Sequence, residues 1–477
     1  MSIGLCLSVL MSTALGVLLL RLVWPRAEAV WPWPLALALG AGLGAGLSAV
    51  LVFGWMIAFG PTQGFPPAEA ALLAVMGVTT LRRRGRVRIP GPAVAFASRG
   101  TRLHLLLVPA FLVVLAAAGA AFLSLLRQHP HGEWDAWMNW DLRARMFFRG
   151  GQGWRIAFSA AIPWSHPDYP VLLPSLVTRS WLYAGAETLL GPALVAATFT
   201  FGTVALLAAA LAALRGPEQG LLAGLVLLST PFFIVHGTSL YADVPLGFFF
   251  LATFVFLALD GRHGGSTSRF AMLAGLAAGL GMWTKNEGVL FTLAVGAGLL
   301  FAGGGSRWAL RRRRLVAFGA GVLPLLLLVV GFKLAFAPPN DLLSTLGMER
   351  TLGRLTAPDR YYLVLREYGK HIAFFGTNGA GAAVWPLAAC LVGLGVSRPE
   401  ARRPWARAGA IALVLLLAGH FMVFVSMADE LARLLDSSLD RLLLQLWPGA
   451  LFLFFMVLRS PGEASTGRLV PEARVSA

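Results

Sequence analysis

Lysine is nearly missing from this chain. Lys285, Lys333 and Lys370 are three residues among 39 basic ones. Charge of either sign is scarce too, at 13%, about half the roughly 25% of an ordinary soluble domain. Hydrophobic residues reach 57% and mean hydropathy is +0.73. Together these exclude a soluble globular enzyme and a disordered chain, and predict an all-α polytopic membrane protein in a lipid bilayer. Only two cysteines occur, Cys6 and Cys390, with no CxxC spacing and no Cys/His partner. That excludes a disulfide framework and a zinc site. No P-loop, GxGxxG context, HExxH or GxSxG is present, so nothing supports a nucleotide-using cytoplasmic enzyme. A net charge of +17 in a soluble chain would suggest nucleic acid. Here the arginines sit in short clusters between apolar runs, so membrane topology explains them and no nucleic-acid partner is expected.

A membrane span needs ~20 mostly apolar residues. The apolar runs predict about thirteen: Ile3–Val23, Leu35–Gly60, Phe65–Leu81, Leu103–Leu126, Thr188–Leu214, Gly220–His236, Tyr241–Leu259, Phe270–Thr284, Asn286–Ala302, Leu315–Phe336, Ile372–Val396, Ala408–Met427 and Leu442–Leu458. Phe65–Leu81, Phe270–Thr284 and Asn286–Ala302 are short or weakly bounded. The first run lacks a basic leader and a cleavage site, and reads as a retained span. Arginine clusters stay on the cytoplasmic side. Arg82–Arg88, Arg307 with Arg311–Arg314, and Arg398–Arg407 all fall on one side when the spans alternate. Residues 1–102 then form additional N-terminal spans and a basic cytoplasmic loop. Residues 103–458 form a core with external loops near 127–187, 337–370 and 428–441, and 459–477 a cytoplasmic tail. No internal repeat of 20–50 residues is visible.

Five polar constellations fall on the external side. The first loop carries Glu133 and Asp135 ahead of an amphipathic stretch, with Trp137, Trp140, Ala144, Phe147 and Phe148 on one side and Asp141, Arg145 and Arg149 on another. It reads as an interfacial helix. A carboxylate at the boundary suits a general base, although helix capping is the commoner use of such an Asp. His166, Asp168 and Tyr169 form a second group, with His166 suited to an anion and Asp168 to hydroxyl hydrogen bonds. Tyr241 and Asp243 open an apolar run, where an acid usually faces a bundle interior or cavity. Lys285 and Glu287 break a long apolar stretch; they form a simple ion pair, or Lys285 holds a phosphate as a point charge. Arg441 opens the last run, as a snorkelling anchor or a phosphate ligand.

Taken in order, these motifs resemble the membrane-embedded glycosyltransferases of the GT-C fold. The nearest groups are the dolichyl-phosphate-mannose protein mannosyltransferases and the aminoarabinose lipid A transferases. Asp135 matches their first-loop acid and His166-Pro167-Asp168 their loop motif before an apolar helix. Tyr241-Ala242-Asp243-Val244-Pro245 matches a Tyr-x-Asp-x-Pro setting. Thr284-Lys285 ends a Gly-rich span, and Arg441 precedes Pro448. The chain departs in having Ala136 where the family has a second acid, three spans before the loop, and no large external domain. The resemblance implies a GT-C-like bundle and a polyprenyl-phosphate sugar donor. Transfer would go to an unidentified acceptor with inversion on the external face of the plasma membrane. Asp135 would serve as base, with Glu133 as substitute. Lys285, Arg441 and either His166 or a loop arginine such as Arg143 would stabilise the lipid phosphate. Asp168 and Asp243 would orient sugar or acceptor. No cofactor is required, and the resemblance leaves a divalent metal open. A transporter or flippase for a lipid-linked or anionic solute is the rival from another class. It would predict inverted repeats and midplane charges.

Overall fold

The computed structural model describes residues 3–24, 32–60, 62–82, 102–262, 268–302, 308–339, 348–376, 383–426 and 431–466. The Arg83–Arg88 stretch, Arg307, Asp341, Asp429 and the end of the tail lie outside them. The described chain is an all-α polytopic membrane protein. Eight helices are long and apolar enough to cross a bilayer: Ile3–Val23, Trp33–Phe59, Leu103–Gln128, Leu190–Arg215, Asp243–Arg262, Trp308–Ala335, Pro404–Ser426 and Leu431–Val457. A bent pair, Pro217–Leu228 and Pro231–Thr238, with a 65° angle between its halves, has the length and composition of a ninth when counted as one broken span. The bend follows from Pro231. Its ring disfavours helical geometry in the residue before it, and Thr230 is extended at φ −94°, ψ 96°.

The thirteen expected spans correspond to these eight helices, the bent pair and four helices that are shorter or less apolar: Phe65–Arg82, Arg269–Thr284, Glu287–Phe301 and Val384–Leu394. The expected Ile372–Val396 span is not one helix. An amphipathic helix, Pro358–Ala373, ends at a turn where Gly376 takes φ 91°. The apolar helix that follows has 11 residues, about 17 Å of rise and too short for the hydrocarbon core. The last span starts earlier than its hydropathy suggests, at Leu431. Leu431, Leu435 and Leu439 recur every fourth residue and pack on Val364, Tyr368 and Phe424 in a satellite core. That stripe makes the described part of the expected 428–441 loop, from Leu431 on, helical, so Arg441 sits inside a helix, one turn before Gln445.

The Asp243–Arg262 helix runs through the middle and is buried along nearly its whole length. Its 20 residues cover about 30 Å, the thickness of a hydrocarbon core. At its Arg262 end Arg314 pairs with Asp260, Arg262 and Arg403 with Glu400, and Arg215 with Glu400 and Glu463. At its Asp243 end Lys285 and Arg441 converge with Asp135. The two polar ends are therefore about a bilayer apart.

Helix–helix contacts near the site are close because small residues line them. At Gly288 an added Cβ would lie 2.3 Å from the Gly281 carbonyl. Such contacts give lipid-embedded helices their packing energy. They bring the two short helices, Arg269–Thr284 and Glu287–Phe301, into a hairpin with Lys285 at its tip.

Candidate active site

Asp243 is the organising group. It is fully buried and a charge there needs compensation from several donors. Lys285 Nζ donates to Oδ1 at 3.0 Å and Gln445 Nε2 to the same oxygen at 2.6 Å. Arg441 donates to Oδ2 through Nε at 3.1 Å and Nη2 at 3.0 Å. His236 Nε2 lies 3.7 Å from Oδ2. Each partner comes from a different turn of the bundle. Lys285 leaves the end of its helix in extended geometry, and Arg441 and Gln445 share one face of the last helix, four residues apart.

Arg441 also reaches the first loop, where its Nη2 donates to Asp135 Oδ2 at 2.6 Å. The guanidinium lies over the Tyr241 ring at 4.6 Å, and the Tyr241 hydroxyl accepts from the Asp135 backbone N–H at 3.3 Å. Burial pushes the Tyr241 phenol up to about 12, so it stays neutral. Asp135 makes no side-chain capping bond, which removes the capping role from its alternatives. Its Oδ1 has no hydrogen-bond partner among the described residues. Glu133 is placed apart: its carboxylate is half-exposed and pairs with His129 at 3.3 Å.

A second polar group lies beside the first. Asp168 is buried and accepts from Asn286 Nδ2 at 3.2 Å. Lys333 Nζ donates to its backbone carbonyl and lies 3.4 Å from Oδ2. Arg143 is fully buried and donates through Nη1 to the Tyr169 carbonyl at 2.7 Å. Burial pulls its guanidinium down to about 9, opposed by the Asp168 charge. The Tyr169 phenol joins the two groups electrostatically. Burial, then the Glu287 charge, raises it, while Lys285 opposes. His166 is exposed, stacks on Tyr169 at 5.0 Å and takes a left-handed φ of 44°. The site residues read from the sequence therefore gather at one end of the bundle, with Glu133 turned away. Three were missed: Lys333, Asn286 and Gln445. Lys333 carried a signal in the rarity of lysine, but its helix reads as an ordinary span.

The loop helix differs from its helical-wheel reading. Residues Ala136–Trp140 form a π turn, closed by the Asp141 N–H donating to the Ala136 carbonyl. This i→i−5 bond shifts the phase. Asp141 turns inward with Trp140, Ala144 and Phe147, while Trp137 is 41% exposed. Burial raises the Asp141 carboxyl from 3.8 to about 7, with Arg145 opposing. An acid raised in the folded state is stabilising where both states are protonated, below about pH 4, and loses that contribution as pH rises to about 7. The full shift is worth on the order of 4 kcal/mol. Asp141→Asn is therefore expected to melt above wild type in detergent, with a gain that grows from pH 5 to pH 7 and then levels. A gain independent of pH would mean that another group titrates.

Among the described residues no three His, Cys, Asp or Glu side chains converge to hold a metal ion. Asp135 and Asp243 are each occupied by Arg441. Among the described residues the acids of the site are engaged by cationic side chains.

Residues 168–331 fit the family model for dolichyl-phosphate-mannose-protein mannosyltransferase. The matched stretch, about a third of the chain, holds Asp168, Asp243 and Lys285; Asp135 and Arg441 lie outside it. No curated protein and no solved structure matches the chain. The family match, on a bundle of this architecture, supports a membrane glycosyltransferase of the GT-C superfamily.

Proposed function

We propose that the protein transfers a sugar from a polyprenyl-phosphate donor to an acceptor hydroxyl or amine, with inversion at the anomeric carbon and Asp135 as general base. The observation that carries this reading is the single network of ion pairs joining Asp135, Arg441, Asp243 and Lys285 at one end of the bundle. Arg441 fixes Asp135 through Oδ2 and leaves Oδ1 to take the acceptor proton. As the acceptor oxygen or nitrogen bonds to the anomeric carbon, the carbon–oxygen bond to the phosphate breaks and its electron pair leaves with the lipid phosphate. Fixed positive charge stabilises that leaving group better than water does, because it needs no reorganisation. Tyr241, Asp168 and His166 lie at the same end of the bundle and suit the orientation of sugar and acceptor. The test is transfer from a labelled polyprenyl-phosphate sugar by purified protein in nanodiscs. A protein that binds such a lipid but only moves it across the membrane would be a flippase.

The reaction side is proposed to be external, at the plasma membrane, because the Arg clusters hold the opposite end in the cytoplasm. Single cysteines near Asp135, Ala357 and Ser437 should react with an impermeant thiol reagent in intact cells or spheroplasts. Cysteines near Gly85, Ser306 and Arg403 should react after lysis only. Reversed labelling would put Asp135 on the wrong face for an externally presented donor.

A further inference from the structure

The two polar groups of the site differ in their charge balance. In the first, Lys285 Nζ lies between Asp243 at 3.0 Å and Glu287 at 2.8 Å, and its side chain is 8% exposed. Arg441 divides its donors between Asp243 and Asp135. Two cations thus face three carboxylates, and an arriving phosphate would meet a net negative field. In the second group the balance is reversed. Lys333 and Arg143 flank one carboxylate, Asp168. The Lys333 side chain is 32% exposed, against 8% for Lys285. Arg143 Nε and Nη2 are buried without a hydrogen-bond partner among the described residues, so their charge is not spent on local acceptors. At close range in a low-dielectric site this difference in sign decides where an anion settles.

We infer that Lys333, backed by the Arg143 charge, is the residue that receives the lipid phosphate of the donor, while Lys285 and Arg441 hold the carboxylates in place. This rests on the glycosyl-transfer reading and relocates its anion site. The phosphate docks beside Asp168, and the anomeric carbon of the sugar points toward Asp135. On transfer the acceptor proton passes to Asp135 Oδ1. The bond electrons go to the phosphate oxygen, whose added negative charge faces Lys333 Nζ. The matched family segment ends at residue 331, two residues short of this lysine.

The experiment measures binding of a long-chain polyprenyl monophosphate, and of the uncharged polyprenol, to purified full-length protein in nanodiscs. Lys333→Met is expected to weaken the monophosphate about ten- to hundredfold, the worth of one charge-assisted hydrogen bond, and to leave polyprenol unchanged. Lys333→Arg should restore most of the affinity. Lys333→Gln, which keeps a donor for the Asp168 carbonyl, provides a second charge-free variant if Lys333→Met does not fold. Lys370→Met, whose exposed ammonium pairs with Glu367 at 3.4 Å away from the site, is the remote control and should leave monophosphate affinity within about threefold. Wild-type affinity in a folded Lys333→Met or Lys333→Gln overturns the inference, and weakened binding in a folded Lys285→Met beside it returns the phosphate to Lys285. A wild-type protein that does not distinguish monophosphate from polyprenol overturns the inference together with the lipid-phosphate donor reading.

Discussion

Asp135→Asn is expected to lower sugar transfer by roughly 10²–10⁴-fold, or about 3–5 kcal/mol of barrier, while polyprenyl-phosphate binding persists. The substitution removes the proton-accepting charge and keeps the shape, and the amide oxygen remains an acceptor for Arg441 Nη2. A fall in rate with retained binding would therefore report on the proton and not on a displaced loop. Glu133→Gln is the matched control. Its carboxylate is half-exposed and paired with His129, so transfer should stay near the wild-type rate. Initial rates, donor affinity and melting temperature, measured for both variants, separate the outcomes. Near wild-type transfer by Asp135→Asn with an inactive Glu133→Gln would exchange the two carboxylates. Activity in both would reduce the loop to an anchor.

Much of the site was legible because charge is so rare in this chain. Asp135, Asp243, Lys285 and Arg441 stand out against apolar runs, and a charge at such a boundary faces a cavity or a partner. Sequence does not show which charge satisfies which. Lys285 and Glu287 are close in sequence and do pair, as the simple ion-pair reading would have it. Yet Lys285 also pairs with Asp243, 42 residues away, and Arg441 reaches Asp135 across 306 residues. The fold was read well where one apolar run makes one helix, as in Ile3–Val23. It was misread where hydropathy and helix geometry part company. Arg433, Asp436 and Asp440 interrupt the apolar count in the last helix, although its leucines keep a helical period. The π turn before Asp141 shifts the loop helix by a residue, so a wheel drawn at the ordinary period puts Asp141 on the wrong side. Lys333 was hidden by the opposite effect, since a single charge two residues from the end of a long apolar helix reads as a snorkelling anchor.

The N-terminal helices meet the site region through a buried ion pair, and breaking it should have the largest effect on stability. Glu69, in the Phe65–Arg82 helix, accepts from Arg179 Nε at 3.1 and 2.9 Å, from Ser48 at 2.7 Å and from Tyr183 at 2.7 Å. Arg179 Nη1 also donates to the Ser8 carbonyl at 2.8 Å. Both side chains are almost wholly buried. Arg179 lies in the Leu172–Ala184 helix, whose Thr178 hydroxyl donates to the Ala144 carbonyl of the loop helix at 3.1 Å. The pair therefore ties three N-terminal helices to the segment that carries Arg143. Arg179→Met leaves Glu69 buried with two neutral donors and should cost about 3–5 kcal/mol. Removing both charges, in Arg179→Met with Glu69→Met, should recover much of that loss, because neither partner is then stranded. Melting temperature and yield in detergent for the two single variants and the double variant measure the coupling. A double variant no more stable than Arg179→Met alone would show that the helices are held by packing. Sugar transfer by the recovered double variant then asks a functional question. With the helices docked and the loop in place, its rate should approach wild type; a stable but inactive double variant would mean that the ion pair sets the loop geometry as well as holding it.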